Sequence, residues 1–191
     1  MTAGRGQLGV GGVLGREELL ARIHGTPPLV SGFVALDEQL QPNGVDLSLA
    51  EISRFSGSGA IGRSNASRRL PDLLEMPFAD DGWLELAPGP YQIVFNEIVD
   101  LPNDLMALGR PRSSLCRSGA TIVTAVWDAG YRGRSTALLV VENSAGLRIE
   151  QNARLLQLVF LTLNAPTARG YDGAYQGENV TESVQDQSRR A

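Results

Sequence analysis

Lysine is absent from this chain. All 17 basic residues among the 191 are arginine, set against 21 acidic residues, and the net charge is −4. That balance excludes the basic footprint of a nucleic-acid binder. Any phosphate contact has to come from arginine, hydroxyls or backbone N–H groups. Cysteine and histidine occur once each, as Cys116 and His24. One cysteine makes neither an intrachain disulfide nor a cysteine metal cluster. One histidine makes no multi-histidine zinc site and leaves no triad histidine away from position 24. With no histidine near it in sequence, Cys116 reads as a buried structural thiol rather than a nucleophile. No apolar run approaches 18 residues, so no spanning helix and no membrane partner are expected. Residues 1–15 are glycine-rich and lack the charged-then-apolar pattern of a secretory signal, so a cytoplasmic location is expected. Without such a signal the sequons at Asn65 and Asn179 carry little weight.

What is present fits one domain of ordinary globular composition, with 42% hydrophobic and 20% charged residues. A chain of this length can bury roughly 70% of its unfolded surface. Residues 1–14 read as a flexible tail, 15–165 as a β domain and 166–191 as a flexible arm punctuated by Pro166, Gly170, Gly173 and Gly177. Arg16 to His24 predicts a short helix, with Leu19, Leu20 and Ile23 on one face and two glutamates at its start. From there the pattern is β. Val45, Leu47 and Leu49 alternate with polar or small residues. Short apolar runs follow at Trp83–Leu86, Tyr91–Phe95, Leu105–Leu108, Ala120–Trp127, Ala137–Val141 and Leu155–Leu163. Many short strands with Gly, Pro, Asn and Asp between them predict a sandwich, jelly roll or barrel. Ser56 to Arg69 reads as a long loop or loose hairpin. Its Gly57-Ser58-Gly59-Ala60-Ile61-Gly62 matches the dinucleotide-binding G-x-G-x-x-G, but Arg63 to Arg69 is a poor helix, which leaves a plain loop.

Three polar constellations carry candidate chemistry. Arg112, Ser113, Ser114 and Arg117 place charged and hydroxyl donors within six residues, with Leu115 able to anchor the segment in the core. Asp128 ends an apolar run, where partial desolvation is expected, and Gly130-Tyr131-Arg132-Gly133 follows as a turn. Arg154 lies just before the last apolar run and Gln157 within it. Charged and hydroxyl donors can hold an anion and a carboxylate can align water, and these residues supply both. Asp46 is open to two readings, as an organiser of the site or as an exposed strand residue between Val45 and Leu47.

In order, Gln41–Leu49, Arg112–Arg117, Thr124–Gly133, Asn152–Leu158 and Tyr171–Asn179 resemble the motifs of the dUTPase and dCTP deaminase superfamily, with the archaeal-type dUTPases as the nearest branch. The resemblance implies an all-β distorted jelly roll or β-barrel of the dUTPase type with a short N-terminal helix. It implies hydrolysis of dUTP to dUMP and pyrophosphate, which limits uracil in DNA and supplies dUMP for dTMP synthesis. Asp128 would orient the attacking water and Tyr131 would stack on the deoxyribose, excluding a 2′-hydroxyl. Arg112, Ser113, Ser114, Arg117 and Gln157 would hold the phosphates. Tyr171, Tyr175 and Gln176 would close over the ligand from the arm. Uracil would be read by backbone groups of Ala120–Ala125. Mg2+ would come with the triphosphate, and a homotrimer with interface active sites is expected. The deaminases carry a catalytic glutamate ten residues after the aspartate; here that position is Leu138, which cannot move protons. Glu142 lies about 13 Å further along a regular strand and would serve only if a bulge shifted it. The arm has Ala174 in place of a deaminase lysine and Glu178 in place of a glutamine. The rival readings are a dCTP deaminase, a bifunctional deaminase–dUTPase, and a non-catalytic sensor of dUTP.

Overall fold

The computed structural model describes residues 12–180. Its elements, in order, are α1 (Arg16–Ile23), β1 (Val30–Ser31), α2 (Leu36–Gln39), β2 (Leu40–Gln41), β3 (Gly44–Ser56), β4 (Asp72–Glu75), β5 (Trp83–Leu86), β6 (Gly89–Phe95), β7 (Ile98–Asp100), β8 (Leu105–Pro111), α3 (Ser113–Arg117), β9 (Ala120–Val123), β10 (Arg132–Gly133), β11 (Thr136–Val141), β12 (Leu147–Glu150) and β13 (Arg154–Thr162). The main sheet runs β8-β13-β3-β6-β11-β9, with β2 and β4 added beside β3. All its pairings are antiparallel. Its two ends meet, because Ala107 on β8 and Trp127 beyond β9 exchange backbone hydrogen bonds of 2.9 and 3.1 Å. This nearly closed barrel removes the open edges that would otherwise invite further pairing. Smaller sheets, β1-β7-β10 and β12-β5, cap it.

The periodicity of the sequence explains which faces turn inward. Tyr91, Ile93 and Phe95 on β6, Ala137, Leu139 and Val141 on β11, and Leu156, Leu158 and Phe160 on β13 are buried, and the residues between them on β6 and β11 are half-buried. The first six residues of β3 are buried on both faces. That strand pairs with β13 through Val45 to Ser48 and with β6 from Leu49 onward, and a register shift between Leu49 and Glu51 lets it serve both. The helix predicted at 16–24 forms as α1 and buries Leu19 and Ile23.

Several expectations need correcting. Val13 bridges to Leu161 and Leu14 is buried in the core, so residues 13–14 belong to the barrel rather than to a tail; residues 1–11 lie outside the described ones. The loose-hairpin reading of Ser56–Arg69 holds: it is the tip of a β3–β4 hairpin, closed by mutual backbone bonds between Ala60 and Arg69. The G-x-G-x-x-G stretch sits in that tip and is followed by one 3-10 turn, Asn65–Ser67. The strand expected over 120–127 stops at Val123, because the chain there crosses to β8. Cys116 is exposed, since α3 turns only Leu115 inward.

Nothing in the sequence pattern singled out Glu97, a fully buried carboxylate. Its Oε1 accepts from Gln39 Nε2 and Ser48 Oγ, both at 2.6 Å, and its Oε2 accepts from Ser48 N at 2.8 Å. It thereby ties α2 and the β6–β7 corner to β3. Burial pushes the Glu97 carboxyl above its ordinary 4.5, against the pull of its hydrogen bonds. A raised value means that the folded state holds the proton more tightly than the unfolded state. The contribution is full below pH 4.5 and is lost as pH rises through the raised value. Glu97→Gln sets an amide N–H against the Ser48 N–H and is expected to cost about 1–3 kcal/mol. Urea titrations over a pH series should show the gap between wild type and variant largest in acid and shrinking as pH rises. A gap that widened with pH would show that burial is not the dominant influence on this group.

Candidate active site

The chain reaches the candidate site through Trp127, which is buried by its pairing with β8. Asp128 to Tyr131 then form a tight turn. Tyr131 N–H donates to Asp128 O at 3.1 Å, and Gly130 at the third position has φ +83°, the conformation this turn requires of that position. The turn leaves the Asp128 side chain exposed and points the Tyr131 ring inward, where it is buried. The partial desolvation expected for Asp128 is therefore not provided by the single chain.

The arm runs beside this turn. Tyr171 N donates to Ala129 O at 2.7 Å, Gly177 N to Arg132 O at 2.7 Å, and Arg134 N to Glu178 O at 2.9 Å. The Gln176 side chain is spent on the same seam: its Nε2 donates to Gly130 O at 2.9 Å and its Oε1 accepts from Arg132 N at 3.0 Å. Between turn and arm lies a cavity of about 250 Å3 lined by Ala125, Val126, Trp127, Asp128, Tyr131, Ser135, Thr136, Tyr171, Tyr175 and Glu178. Tyr131 and Tyr171 meet edge to face, with centroids 5.7 Å apart. Arg68, from the β3–β4 hairpin, lies 5.1 Å from the centre of the Tyr175 ring.

A directed hydrogen-bond chain underlies the cavity. Tyr131 Oη donates to Glu178 Oε1 at 2.9 Å, so Ser135 Oγ, 3.0 Å away, donates to Tyr131 Oη and in turn accepts from Trp127 Nε1 at 2.6 Å. Burial raises the Tyr131 hydroxyl above its ordinary 10.0, and the neighbouring Glu178 raises it further, so it stays a donor. Burial also raises the Glu178 carboxyl above 4.5, opposed by the bond from Tyr131.

Of the predicted residues, Asp128, Tyr131, Tyr171 and Tyr175 come together in this cavity. Gln176 sits beside it as a seam residue, and Arg112, Ser113, Ser114, Arg117 and Gln157 are not among its lining. Of these five, Arg112 follows β8, Ser113, Ser114 and Arg117 lie on α3, and Gln157 lies on β13. Gln157 is opposite Asp46 and Arg110 in the sheet, and Arg112 N donates to Leu155 O at 2.9 Å. Asp46 is buried, which settles its two readings against an exposed strand residue. Its Oδ2 lies 3.0 Å from Arg112 Nε and 3.7 Å from Arg154 Nη1. Burial raises the Asp46 carboxyl above 3.8, and the two guanidiniums pull it back. Arg112 is thus largely committed to Asp46 and to the Arg154 carbonyl, 3.3 Å from its Nη1. Arg154 also reaches the Glu38 carbonyl and carboxylate, which favours its role in the fold. Ser113, Ser114 and Arg117 are exposed. Sequence reasoning missed Ser135 and Trp127 and left Glu178 without a role. Only the resemblance of the arm pointed near Glu178.

The fold defines a nearly closed β-barrel protein, in which the arm and the turn at Asp128 border a small cavity lined by an aspartate, a glutamate and three tyrosines. The chain belongs to the dCTP deaminase-like family, whose sequence profile matches residues 13–163. A protein of Methanosarcina acetivorans called a probable deoxyuridine 5′-triphosphate nucleotidohydrolase is 50% identical over 168 residues, 88% of this chain and 98% of that one. One of Archaeoglobus fulgidus with the same name is 48% identical over 152 residues, covering 80% and 89%. The deoxyuridine 5′-triphosphate nucleotidohydrolase of Methanocaldococcus jannaschii is 36% identical over 143 residues, covering 74% and 89%. Among solved structures, the crystal structure of 2′-deoxycytidine 5′-triphosphate deaminase from Agrobacterium tumefaciens shares the fold, with a TM-score of 0.63 at 20% identity. The match covers 80% of this chain and 48% of that longer one.

Proposed function

We propose that this protein is a dUTP diphosphatase. The observation that carries the reading is the placement of Asp128 and Tyr131 on one tight turn at the mouth of the cavity, in a chain 50% identical over nearly its whole length to a probable dUTP nucleotidohydrolase. Asp128 takes a proton from water as the water attacks the α-phosphorus. The bond from that phosphorus to the bridging oxygen breaks, and dUMP and pyrophosphate leave. Tyr131 packs against the deoxyribose and leaves no room for a 2′-hydroxyl. Backbone groups of residues 120–125 read the uracil. Tyr171 and Tyr175 cover the ligand.

The phosphates fall to Arg117, Ser113, Ser114 and Gln157, with Arg112 contributing what its bond to Asp46 leaves free. These donors and the Asp128 cavity lie apart in one chain, which supports a homotrimer in which one subunit's donors complete the site of another. Among the described residues no group of three His, Cys, Asp or Glu could hold a metal. In this reading Mg2+ enters with the triphosphate, whose oxygens bind it directly. The same reading keeps the protein in the cytoplasm. No described helix is long and apolar enough to cross a membrane.

The deaminase reading is weaker. Leu138 lies on β11, one same-face position beyond Thr136, which lines the cavity. The strand pairs without a register shift from Thr136 to Val141, so nothing displaces Glu142 inward, and Glu142 is exposed. Incubation with Mg2+ and dUTP, dCTP, dTTP or UTP, followed by anion-exchange separation, tests this. dUMP and pyrophosphate from dUTP alone are expected. Deaminated product from dCTP would overturn the argument from Leu138. Turnover of none of the four, with dUTP still raising the melting temperature, would make the protein a sensor.

A further inference from the structure

We propose that Glu178 is a positioning residue for sugar selection, holding the Tyr131 ring in place and locking the arm over the cavity. This rests on the dUTP diphosphatase reading for the identity of the sugar, but not for the lock itself. The hydrogen-bond chain from Trp127 through Ser135 and Tyr131 has every donor pointing one way, and Glu178 is its terminal acceptor. A chain of this kind is cooperative, so its last member fixes the orientation of those before it. The ring so fixed is the one that meets the sugar. Glu178 comes from the arm, 47 residues away, so the hydroxyl of Tyr131 finds this acceptor only when the arm is docked.

The surroundings are shaped for that docking. Gly133 faces the bond: a Cβ there would lie 2.5 Å from the Tyr131 hydroxyl and 3.2 Å from Glu178 Cγ. The backbone on either side of Glu178 is registered by the Gly177–Arg132 and Arg134–Glu178 hydrogen bonds and by Asn179 Nδ2 donating to Arg134 O at 2.9 Å. No arginine or other cation is ion-paired with Glu178 among the described residues, so the carboxylate has the tyrosine as its hydrogen-bond partner. The carboxylate is thus placed for the ring, with the reacting end of the cavity left to Asp128.

The experiment compares wild type with Glu178→Ala, Glu178→Gln, Tyr131→Phe and the Glu178→Ala/Tyr131→Phe double variant. The first readout is the ratio of kcat/KM for dUTP to that for UTP. A hydrogen bond to a charged acceptor implies a fall of about tenfold or more in Glu178→Ala. Tyr131→Phe is expected to fall similarly, and the double variant no further, because the two share one interaction. Glu178→Gln keeps an acceptor and is expected to restore the ratio. An unchanged ratio in Glu178→Ala overturns the assignment, whatever happens to the rate. The second readout needs no nucleotide: amide exchange at Gly177 and Arg134, expected to quicken about tenfold in Glu178→Ala and to return towards wild type in Glu178→Gln. If the wild-type protein turned over neither nucleotide, the functional reading would fall while the exchange measurement still decided the lock. Unchanged exchange overturns the lock, and faster exchange with an unchanged ratio overturns the role in selection.

Discussion

Asp128→Asn is expected to lower kcat for dUTP by about 10² to 10⁴, the span typical of a lost general base. Dissociation constants for dUTP should change little, because asparagine keeps the size and one acceptor of the aspartate. The stability of the fold should also hold, since Asp128 is exposed and makes no ion pair among the described residues. Changes at such positions usually move stability by no more than about 0.5 kcal/mol. Single-turnover kinetics beside nucleotide-binding titrations separate the two effects. A loss smaller than about tenfold would move the base elsewhere, and Glu178, the other carboxylate lining the cavity, would be the next residue to change. The variant also tests the shared site. Mixing unfolded Asp128→Asn and Arg117→Ala chains and refolding them together should recover activity that neither has alone, if base and phosphate donors come from different subunits. No recovery would argue that one subunit supplies both.

Arg112→Met is expected to destabilise the protein by about 3–5 kcal/mol, because it strips the nearest cation from a buried carboxylate. Asp46 is 1% exposed, and the remaining guanidinium, Arg154, stands off at 3.7 Å. In a domain of this size each kcal/mol is worth about 2–4 °C in melting temperature, so a fall on the order of 10 °C should be measurable by calorimetry. The pH dependence has a definite sign. Burial already holds the Asp46 carboxyl above 3.8, and losing Arg112 lets it rise further. Stability from that proton is full below pH 3.8 and is lost as pH rises through the raised value. The variant should therefore lie closest to wild type in acid and furthest from it near neutrality. Asp46→Leu in the same chain should recover much of the loss, since an apolar side chain leaves no charge to be solvated. If Arg112→Met melted with wild type, Asp46 would have to be kept uncharged in the native fold, and the pair would not be an ion pair.

Both predictions concern residues that the sequence made visible, but it did not show that Arg112 pairs with a buried carboxylate. The turn from Asp128 to Tyr131 was legible because its chemistry is local: an apolar run, a carboxylate, then a glycine where the backbone needs positive φ. The helix from Arg16 and the strands around Tyr91, Ala137 and Leu156 were legible for the same reason, their periods being set by neighbours two to four positions apart. Leu138 was legible as a missing proton carrier, and the regular pairing of β11 keeps Glu142 from replacing it.

Arg112 read as a phosphate donor, and the fold instead turns much of its guanidinium to Asp46, 66 positions earlier, because β3 and β8 both flank β13. Glu97 finds Gln39 across 58 residues and Ser48 across 49. Glu178 meets Tyr131 only when the arm lies along the turn. The amino-acid sequence by itself determined the β class, the inward faces of the longer strands and the family. The tertiary structure decided which charges are buried together, which donors share a cavity with Asp128, and what Glu178 holds. Those outcomes depend on register between strands far apart in the chain, and a slip of one residue there would send every side chain to the opposite face.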